Sequence, residues 1–356
     1  MAGHRVKGDS NGMTARSADG GRKKRPTLAD VARRAGVNPS TVSRALDGRH
    51  PFSRSASAER IRGIAQEIGY TPDPSAASLR RQSTRTVGVI VPRLTDTVMA
   101  MLYEEIAAAC QEQGLLALVA TTGDDPAAER DSGRLLLERR VDAMILTTAR
   151  LDGQGEFIGT LAEQQVPYAL AMRTDGRGPA AVGDDRLGGH LATRHLIDLG
   201  HTRIAVVAGP SHASSALGRT AGFREAMAEA GVDVDDDLVR PSGFSMESGE
   251  EIATQLLART DPPTAVLCVN DNTAIGVMAA ARRRGLRIPE DLSLVGYNDT
   301  PIAARLPVAL TSVRVPFRDI AQGAVALVQQ AIDGKPPQTL TYAPTLIPRS
   351  SATRLT

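Results

Sequence analysis

Between residues 26 and 70 the apolar positions fall in three short stripes. Leu28, Val31, Ala32 and Ala35 are spaced i, i+3, i+4, i+7, one face of a helix. Thr27 stands before them as a cap with Asp30 at the third helical position, a capping-box-like pair. Gly36 follows, where a left-handed residue closes a helix, and Val37 is then free to plug the angle between two helices. Asn38 is a good N-cap and Pro39 suits a first helical position, which predicts a second helix over Pro39–Leu46. Its Val42, Ala45 and Leu46 face inward; Pro39, Ser40, Ser43 and Arg44 face outward. Ser57 is the predicted start of a third helix, with Ile61, Ile64, Ala65 and Ile68 inward and Gly69 at its end. Two short helices joined by a tight glycine-bearing turn form the helix-turn-helix pattern of DNA-binding modules.

From Thr86 onward the pattern changes. Short apolar runs at Val87–Val91, Leu115–Ala120, Ala143–Leu146, Tyr168–Ala171, Ile204–Ala208, Ala265–Val269 and Leu292–Val295 read as buried strands. Amphipathic stretches near 98–113, 127–140, 188–199, 216–230, 247–259 and 271–284 lie between them. This βαβα order calls for parallel sheets with helices on both faces. Some 270 residues is long for one such sheet, so two lobes are expected.

Charge sharpens the division. Residues 1–85 hold 17 Lys and Arg against 7 Asp and Glu, and the remainder 25 against 33. A basic head on an acidic body points to a polyanionic partner for the head. Residues 1–25, ending in the run Arg22-Lys-Lys-Arg25, read as a disordered basic tail. Hydrophobic residues make up 42% and charged residues 23%, as in globular proteins, and no apolar run is long enough to span a bilayer. No secretory apolar segment follows the N-terminus, so a cytoplasmic location is expected. Cys110 and Cys268, both in apolar stretches, read as buried thiols, too few for a disulfide framework or a four-cysteine metal site. No dinucleotide-binding glycine motif, P-loop, nucleophile elbow or H-E-x-x-H is present, and His190 and His195, five apart, do not share a helix face. Neither an enzyme nor a metal or cofactor protein is expected. An exported solute-binding protein would have no use for the basic head.

The string Thr27-Leu-Ala-Asp-Val-Ala-Arg-Arg-Ala-Gly-Val-Asn-Pro-Ser-Thr-Val-Ser-Arg44 resembles the head of the lactose-repressor (LacI/GalR) family of transcriptional regulators, and the likeness continues through Tyr70, Pro72 and Leu79. The resemblance implies that Pro39, Ser40 and Arg44 read bases while Asn38, Thr41 and Ser43 steady phosphates. Thr27, Ser57 and Tyr70 complete the implied DNA-binding set. For Arg44 the chemistry agrees, because a planar fork of donors suits guanine O6 and N7. Pro39 has no donor; it suits a thymine methyl or shapes the helix start. Asp73-Pro74 is a cap followed by a first-turn proline, the start of a hinge helix through about Arg80. In the family such a helix orders on the operator, where Leu79 would wedge into a base step. Ala77 stands where the family often has arginine; Arg80, Arg81 and Arg85 are expected to compensate through phosphates.

The rest resembles the family's periplasmic-binding-protein-like core. Its landmarks include Thr86-Val-Gly-Val-Ile-Val-Pro92, Asp184-Asp-Arg-Leu-Gly-Gly189, Arg219-Thr-Ala-Gly-Phe223 and Val295-Gly-Tyr-Asn-Asp299. The fold class implied is an all-α helix-turn-helix domain joined by a hinge helix to a two-lobed α/β core of parallel sheets. The expected divisions are a tail at 1–25, the DNA-binding domain at 26–72, a hinge helix and linker at 73–85 and a core at 86–356. Lobe 1 is expected at about 86–185 plus 315–338, and lobe 2 at about 186–314 plus 339–356. Asp185, Arg219, Asn270 and Asn298 match effector positions, Phe244 matches an aromatic on which sugar rings stack, and Phe317 is expected to add apolar wall. The chain departs from the family at Asp96-Thr-Val-Met99, where an Asn-Pro-Phe turn is common, and at Asn298, where aspartate is usual. The implied protein is a homodimeric repressor on a near-palindromic duplex, tuned by a small effector, a sugar by family habit. Release by an inducer and activation by a co-repressor both remain open.

Overall fold

The computed structural model of the chain describes residues 26–46, 55–71 and 83–355. The expected tail over 1–25 and the expected hinge helix, with Pro72, Ala77, Leu79, Arg80 and Arg81, lie outside the described residues. The chain divides into an N-terminal unit up to Arg81 and a core from Gln82 onward.

In the N-terminal unit, α1 (Leu28–Ala35) opens on the expected box. Asp30 N donates to Thr27 Oγ1 at 3.3 Å, and Thr27 N donates to Asp30 Oδ2 at 2.9 Å. The helix closes on Gly36 at φ 65, which a side chain would resist. α2 (Pro39–Leu46) follows Asn38, whose carbonyl accepts from Thr41 and Val42. α3 (Ala56–Glu67) begins ahead of the expected Ser57. Ser55 is the extended N-cap, its Oγ accepting from Ala58 N at 3.3 Å, and Ser57 lies inside the first turn. Either serine has the right side chain; the one whose backbone leaves the helix takes the cap. Val31, Ala35, Val42, Ala45, Ile61 and Ala65 are buried at the junction of the three helices, with Ile64 and Ile68 half-buried beside them. Arg60 donates to the Ala35 carbonyl and Arg62 Nε to the Ala45 carbonyl at 3.1 Å, so α3 caps the last turns of both other helices.

The core has two six-stranded sheets. In lobe 1, β1 (Thr86–Val91), β2 (Leu116–Thr121), β3 (Ala143–Leu146), β4 (Tyr168–Ala171), β5 (Ala180–Gly183) and β11 (Thr339–Tyr342) are all parallel, in the order β11-β5-β4-β3-β1-β2. In lobe 2, β6 (Ile204–Ala208), β7 (Val239–Pro241), β8 (Ala265–Cys268), β9 (Ser293–Asn298), β10 (Thr311–Arg314) and β12 (Thr345–Ile347) run β12-β10-β9-β8-β6-β7, with β12 antiparallel to β10. Covered on both faces, the central strands are continuous apolar runs rather than alternating ones. α4 (Thr97–Glu112), α5 (Pro126–Glu138), α6 (Glu156–Glu163) and α11 (Phe317–Ile332) belong to lobe 1. α7 (Asp185–Asp198), α8 (Ser214–Glu229), α9 (Met246–Leu256) and α10 (Asp271–Arg283) belong to lobe 2.

The chain crosses between lobes after β5, after β10 and after β11. The last crossing corrects the expected boundary: residues 339–342 belong to lobe 1, because Thr339–Tyr342 pair in register with Ala180–Gly183 as an edge strand. β5, β7, β10, β11, β12, α6 and α11 were not among the expected elements. Among the described residues no helix is long and apolar enough to cross a membrane.

Lobe 2 is held tight by glycine. A Cβ on Gly222 of α8 would overlap the Arg186 carbonyl of α7, and one on Gly189 of α7 would overlap the Arg219 carbonyl of α8. The two backbones touch directly, and neither side of such a contact can yield by rotating a side chain. Gly222→Ala is therefore expected to lower the stability of the core by about 1–3 kcal/mol, read as an earlier midpoint in urea. An unchanged midpoint would refute the contact.

Candidate DNA-reading face and ligand cleft

On α2 the exposed side chains are Pro39, Ser40 and Arg44, while Thr41 and Ser43 are half-buried and Val42 and Ala45 are buried. Asn38 and Ser57 are exposed; Tyr70 is half-buried against the small core. Thr27 is spent on its box: its Oγ1 donates to Asp30 Oδ2 at 2.7 Å and accepts from Asp30 N. Among the described residues of this unit the other guanidinium groups are engaged. Arg33 lies 3.1 Å from Asp30 and Arg34 2.7 Å from Glu67, while Arg60 and Arg62 cap helices. Among the described residues nothing pairs with Arg44, which projects from α2 as an unspent fork of donors. Arg85, expected to reach phosphate, instead donates from Nη2 to the Gln113 carbonyl at 3.0 Å, because its backbone leaves the linker at the end of α4.

In the core a cavity of about 530 Å³ opens at the carboxyl ends of the strands of both sheets. This is where parallel sheets place ligands. Segments after β1, β2 and β4 form the lobe 1 wall; segments after β6, β7 and β8, the end of β9 and one face of α8 form the other. The structure brings Arg219, Phe244, Asn270 and Asn298 together on this cavity.

Arg219, on α8, is 5% exposed. Its Nε donates to Asp185 Oδ1 at 2.8 Å, an Nη donates to the Val269 carbonyl at 2.6 Å, and its guanidinium lies 3.7 Å from the Tyr297 ring centroid. Burial works against its charge, but Asp185 beside it more than compensates and holds it protonated. Asp185 lies outside the wall, so its place is behind Arg219 rather than against a ligand. Asn270 caps α10: its Oδ1 accepts from Thr273 N at 2.8 Å and its Nδ2 donates to the Phe244 carbonyl at 2.9 Å. It thus fixes the loop that carries Phe244. Asn298, at the end of β9, sits at φ 97 and is 3% exposed, with a buried Oδ1 that has no protein partner. Phe317 is a correction. As the first residue of α11, which packs on β3, β4 and β5, it is buried with Val315 and Ile320 in the lobe 1 core and is absent from the wall.

Among the wall residues, Asp124, Arg173, Met172 and Met246 were not anticipated, whereas the Asp96–Met99 segment was expected there as a departure from the family pattern. Arg173 holds Asp124 through both nitrogens, at 3.0 and 3.3 Å, and lies 5.1 Å from the Phe244 centroid. Burial would raise the Asp124 carboxyl, but Arg173 and His212 hold it below its ordinary value. Asp96 caps α4 and its Oδ1 also accepts from Asn272 Nδ2 of lobe 2 at 3.3 Å; burial pushes this carboxyl up. Met99, Met172 and Met246 supply thioether surface. Position was the available signal, since Asp124 and Arg173 each follow an apolar run by a few residues.

A head that presents Arg44, unpaired among the described residues, on an exposed helix, followed by a bilobal core with a polar cleft, fits a ligand-responsive DNA-binding regulator. Residues 27–73 match the model of bacterial regulatory proteins of the lacI family, and residues 193–352 that of a periplasmic binding protein-like domain. The chain is 32% identical over 334 residues to the HTH-type transcriptional regulator DegA of Bacillus subtilis (strain 168), covering 92% of this chain and 98% of DegA. A solved complex of the transcriptional regulator CelR with cellobiose has a TM-score of 0.71 at 30% identity, covering 92% of this chain and all, 100%, of that one. The lac repressor dimer bound to operator and the anti-inducer ONPF has a TM-score of 0.83 at 27% identity, covering 93% and 100%. The chain belongs to the LacI family of bacterial transcriptional regulators. It is a DNA-binding regulator with a ligand-binding core, and not an enzyme.

Behind the cleft, buried Asp271 accepts from Ser312 Oγ at 2.6 Å and from Thr300 N and Oγ1 at 2.6 and 2.9 Å. Burial pushes its carboxyl from 3.8 up to about 6, against the pull of those donors and with a push from Asp299. Between these two values the folded chain keeps a proton that the unfolded chain has lost. The group's contribution to stability is therefore full below about pH 4 and falls as pH rises through about 6. Urea unfolding of the wild type and of Asp271→Asn at pH 4 to 7 should show the wild type losing up to about 3 kcal/mol relative to the variant across that window. Parallel pH profiles would contradict it.

Proposed function

We propose that the protein is a homodimeric repressor acting in the cytoplasm, whose two α2 helices read a near-palindromic operator and whose grip is set by an uncharged, hydroxyl-rich ligand in the cleft. Two copies on a two-fold site match the half-site symmetry that helix-turn-helix dimers impose, and the lac repressor relative is a dimer on its operator. Arg44 is the base reader, with Pro39 and Ser40 beside it and Asn38, Thr41, Ser43 and Ser57 toward phosphates. A sugar is favoured for the ligand, as in the CelR complex with cellobiose.

One observation carries the ligand reading. The buried cations of the wall, Arg173 and Arg219, are each already paired with a carboxylate, Asp124 and Asp185, while the buried Asn298 carbonyl has no partner. Such a wall has no spare buried cation for a phosphate or carboxylate, its third guanidinium, Arg93, being exposed and directed to the Gly123 carbonyl at 3.5 Å, but it accepts a hydroxyl. Phe244 supplies an apolar face for a ring. The ligand acts only through its unequal affinity for the core's open and closed forms.

A thermal-shift series on the full chain tests this with cellobiose, glucose, adenosine and glucose 6-phosphate. A neutral sugar is expected to raise the melting point and the phosphate ester is not. Stabilisation by the ester alone would overturn the reading. Phe244→Ala should weaken the stabilising sugar at least tenfold without altering DNA binding. Arg44→Ala should cost about 1–3 kcal/mol per half-site on a duplex selected by the wild type from a random pool, and little on random duplex. Equal losses on both would remove Arg44 from base reading.

A further inference from the structure

The chain joins the core through residues 83–85, and there four hydrogen bonds converge on one carboxylate. Asp142, one residue before β3, accepts from Ser83 Oγ at 2.6 Å, Thr84 N at 2.8 Å, Thr84 Oγ1 at 3.0 Å and Arg85 N at 2.6 Å. Its own amide donates to the Thr86 carbonyl at 2.7 Å, so the carboxylate is held level with the start of β1. Thr84 Oγ1 shares its single hydrogen with the Arg140 carbonyl at 2.6 Å. On the other side, Arg85 turns into the left-handed region at φ 56 and donates to the Gln113 carbonyl at 3.0 Å. It lies over Gly114, where a Cβ would come within 2.6 Å of the guanidinium.

Neither lobe needs this arrangement for its own packing. β1 and β3 are already joined in register from Val87↔Ala143 to Ile90↔Leu146, and Asp142 is only half-buried at the rim of the sheet. An ionised carboxylate accepts and never donates, and its hydrogen bonds are stronger than neutral ones. Three consecutive residues bring it two backbone N–H groups and two hydroxyls. That pins the backbone of the junction, not merely a side chain. What it pins is the end of the segment leading to the DNA-binding unit.

We infer that Asp142 is a positioning residue for operator recognition: it bolts the core end of the linker to lobe 1, so that the linker leaves from a fixed point and a displacement of lobe 1 is carried into it. The inference rests on the reading of the protein as an operator-binding regulator. It goes beyond that reading in assigning the mechanical joint to a residue that lies off the cleft wall.

The test uses the full chain, its duplex selected by the wild type from a random-sequence pool, and a random duplex of equal length. Asp142→Ala should speed tryptic cleavage after Arg85 at least tenfold. It should weaken binding to the selected duplex at least tenfold and leave binding to the random duplex within twofold. A purely structural role would lower the core melting point and depress both duplexes alike, and that result overturns the inference. So does a folded Asp142→Ala whose cleavage and selected-duplex affinity both stay within twofold of the wild type. Should Asp142→Ala not fold, the double variant Ser83→Ala, Thr84→Val decides. It keeps the carboxylate, removes both hydroxyl donors, and must show the same selective loss to support the inference; unaltered binding to the selected duplex overturns it. Failure of the wild type to select any duplex would instead refute operator binding itself, while the cleavage assay still reads the joint.

Discussion

Lobe 2 is organised around a buried cation. Arg219 reaches from α8 to Asp185 at the start of α7, to the Val269 carbonyl beyond β8, and onto the ring of Tyr297 in β9. One side chain thereby ties the first crossing between lobes to a helix and two strands of the second. Removing either partner of a buried pair leaves an uncompensated charge, at a cost of about 3–5 kcal/mol. The Phe244 loop, the Asn270 cap and the Asn298 backbone all stand on this frame, and the cleft keeps its shape because the frame cannot relax piecemeal.

Around the cleft the lobes meet through a few polar contacts. Asp96 and Asn272 face each other at 3.3 Å, Thr174 N donates to Ser214 Oγ at 2.9 Å, and Leu151 N donates to the His212 carbonyl at 2.9 Å. His212 Nε2 stands 3.5 Å from Asp124. Hydrogen bonds of this kind each contribute about 0.5–1.5 kcal/mol net. A ligand that adds two or three more is on the scale needed to change the balance between arrangements of the lobes.

Much of this architecture was legible in the chain. The box at Thr27 and Asp30, the turn at Gly36 and the inward faces of the head follow from local rules, because each depends on residues within one helical turn. The central strands were legible because burial on both faces leaves solid apolar runs. Elements whose character comes from their neighbours were harder. β11, Thr-Leu-Thr-Tyr, is a half-polar edge strand that gains its place only by pairing with β5. Ser55 and Ser57 are the same residue type and differ only in backbone angle. Phe317 was expected in the pocket wall from the family resemblance, yet the helix it opens lies on the sheet and turns it inward. Asp124 and Arg173 are 49 residues apart, and only the fold shows that they are one bidentate pair.

The backbone at Asn298 narrows what can vary there. At φ 97, with Asp299 following at φ 51, the chain bends through a region that β-branched and bulky side chains avoid and that asparagine, aspartate and glycine tolerate. Few residue types are therefore admissible at this point of the cleft wall. Exchanging the amide for an acid swaps a neutral group for an anion without moving an atom of the scaffold. Glycine would leave a hollow. The chemistry of the wall at this place therefore changes only by single discrete steps, with no intermediate shades between them.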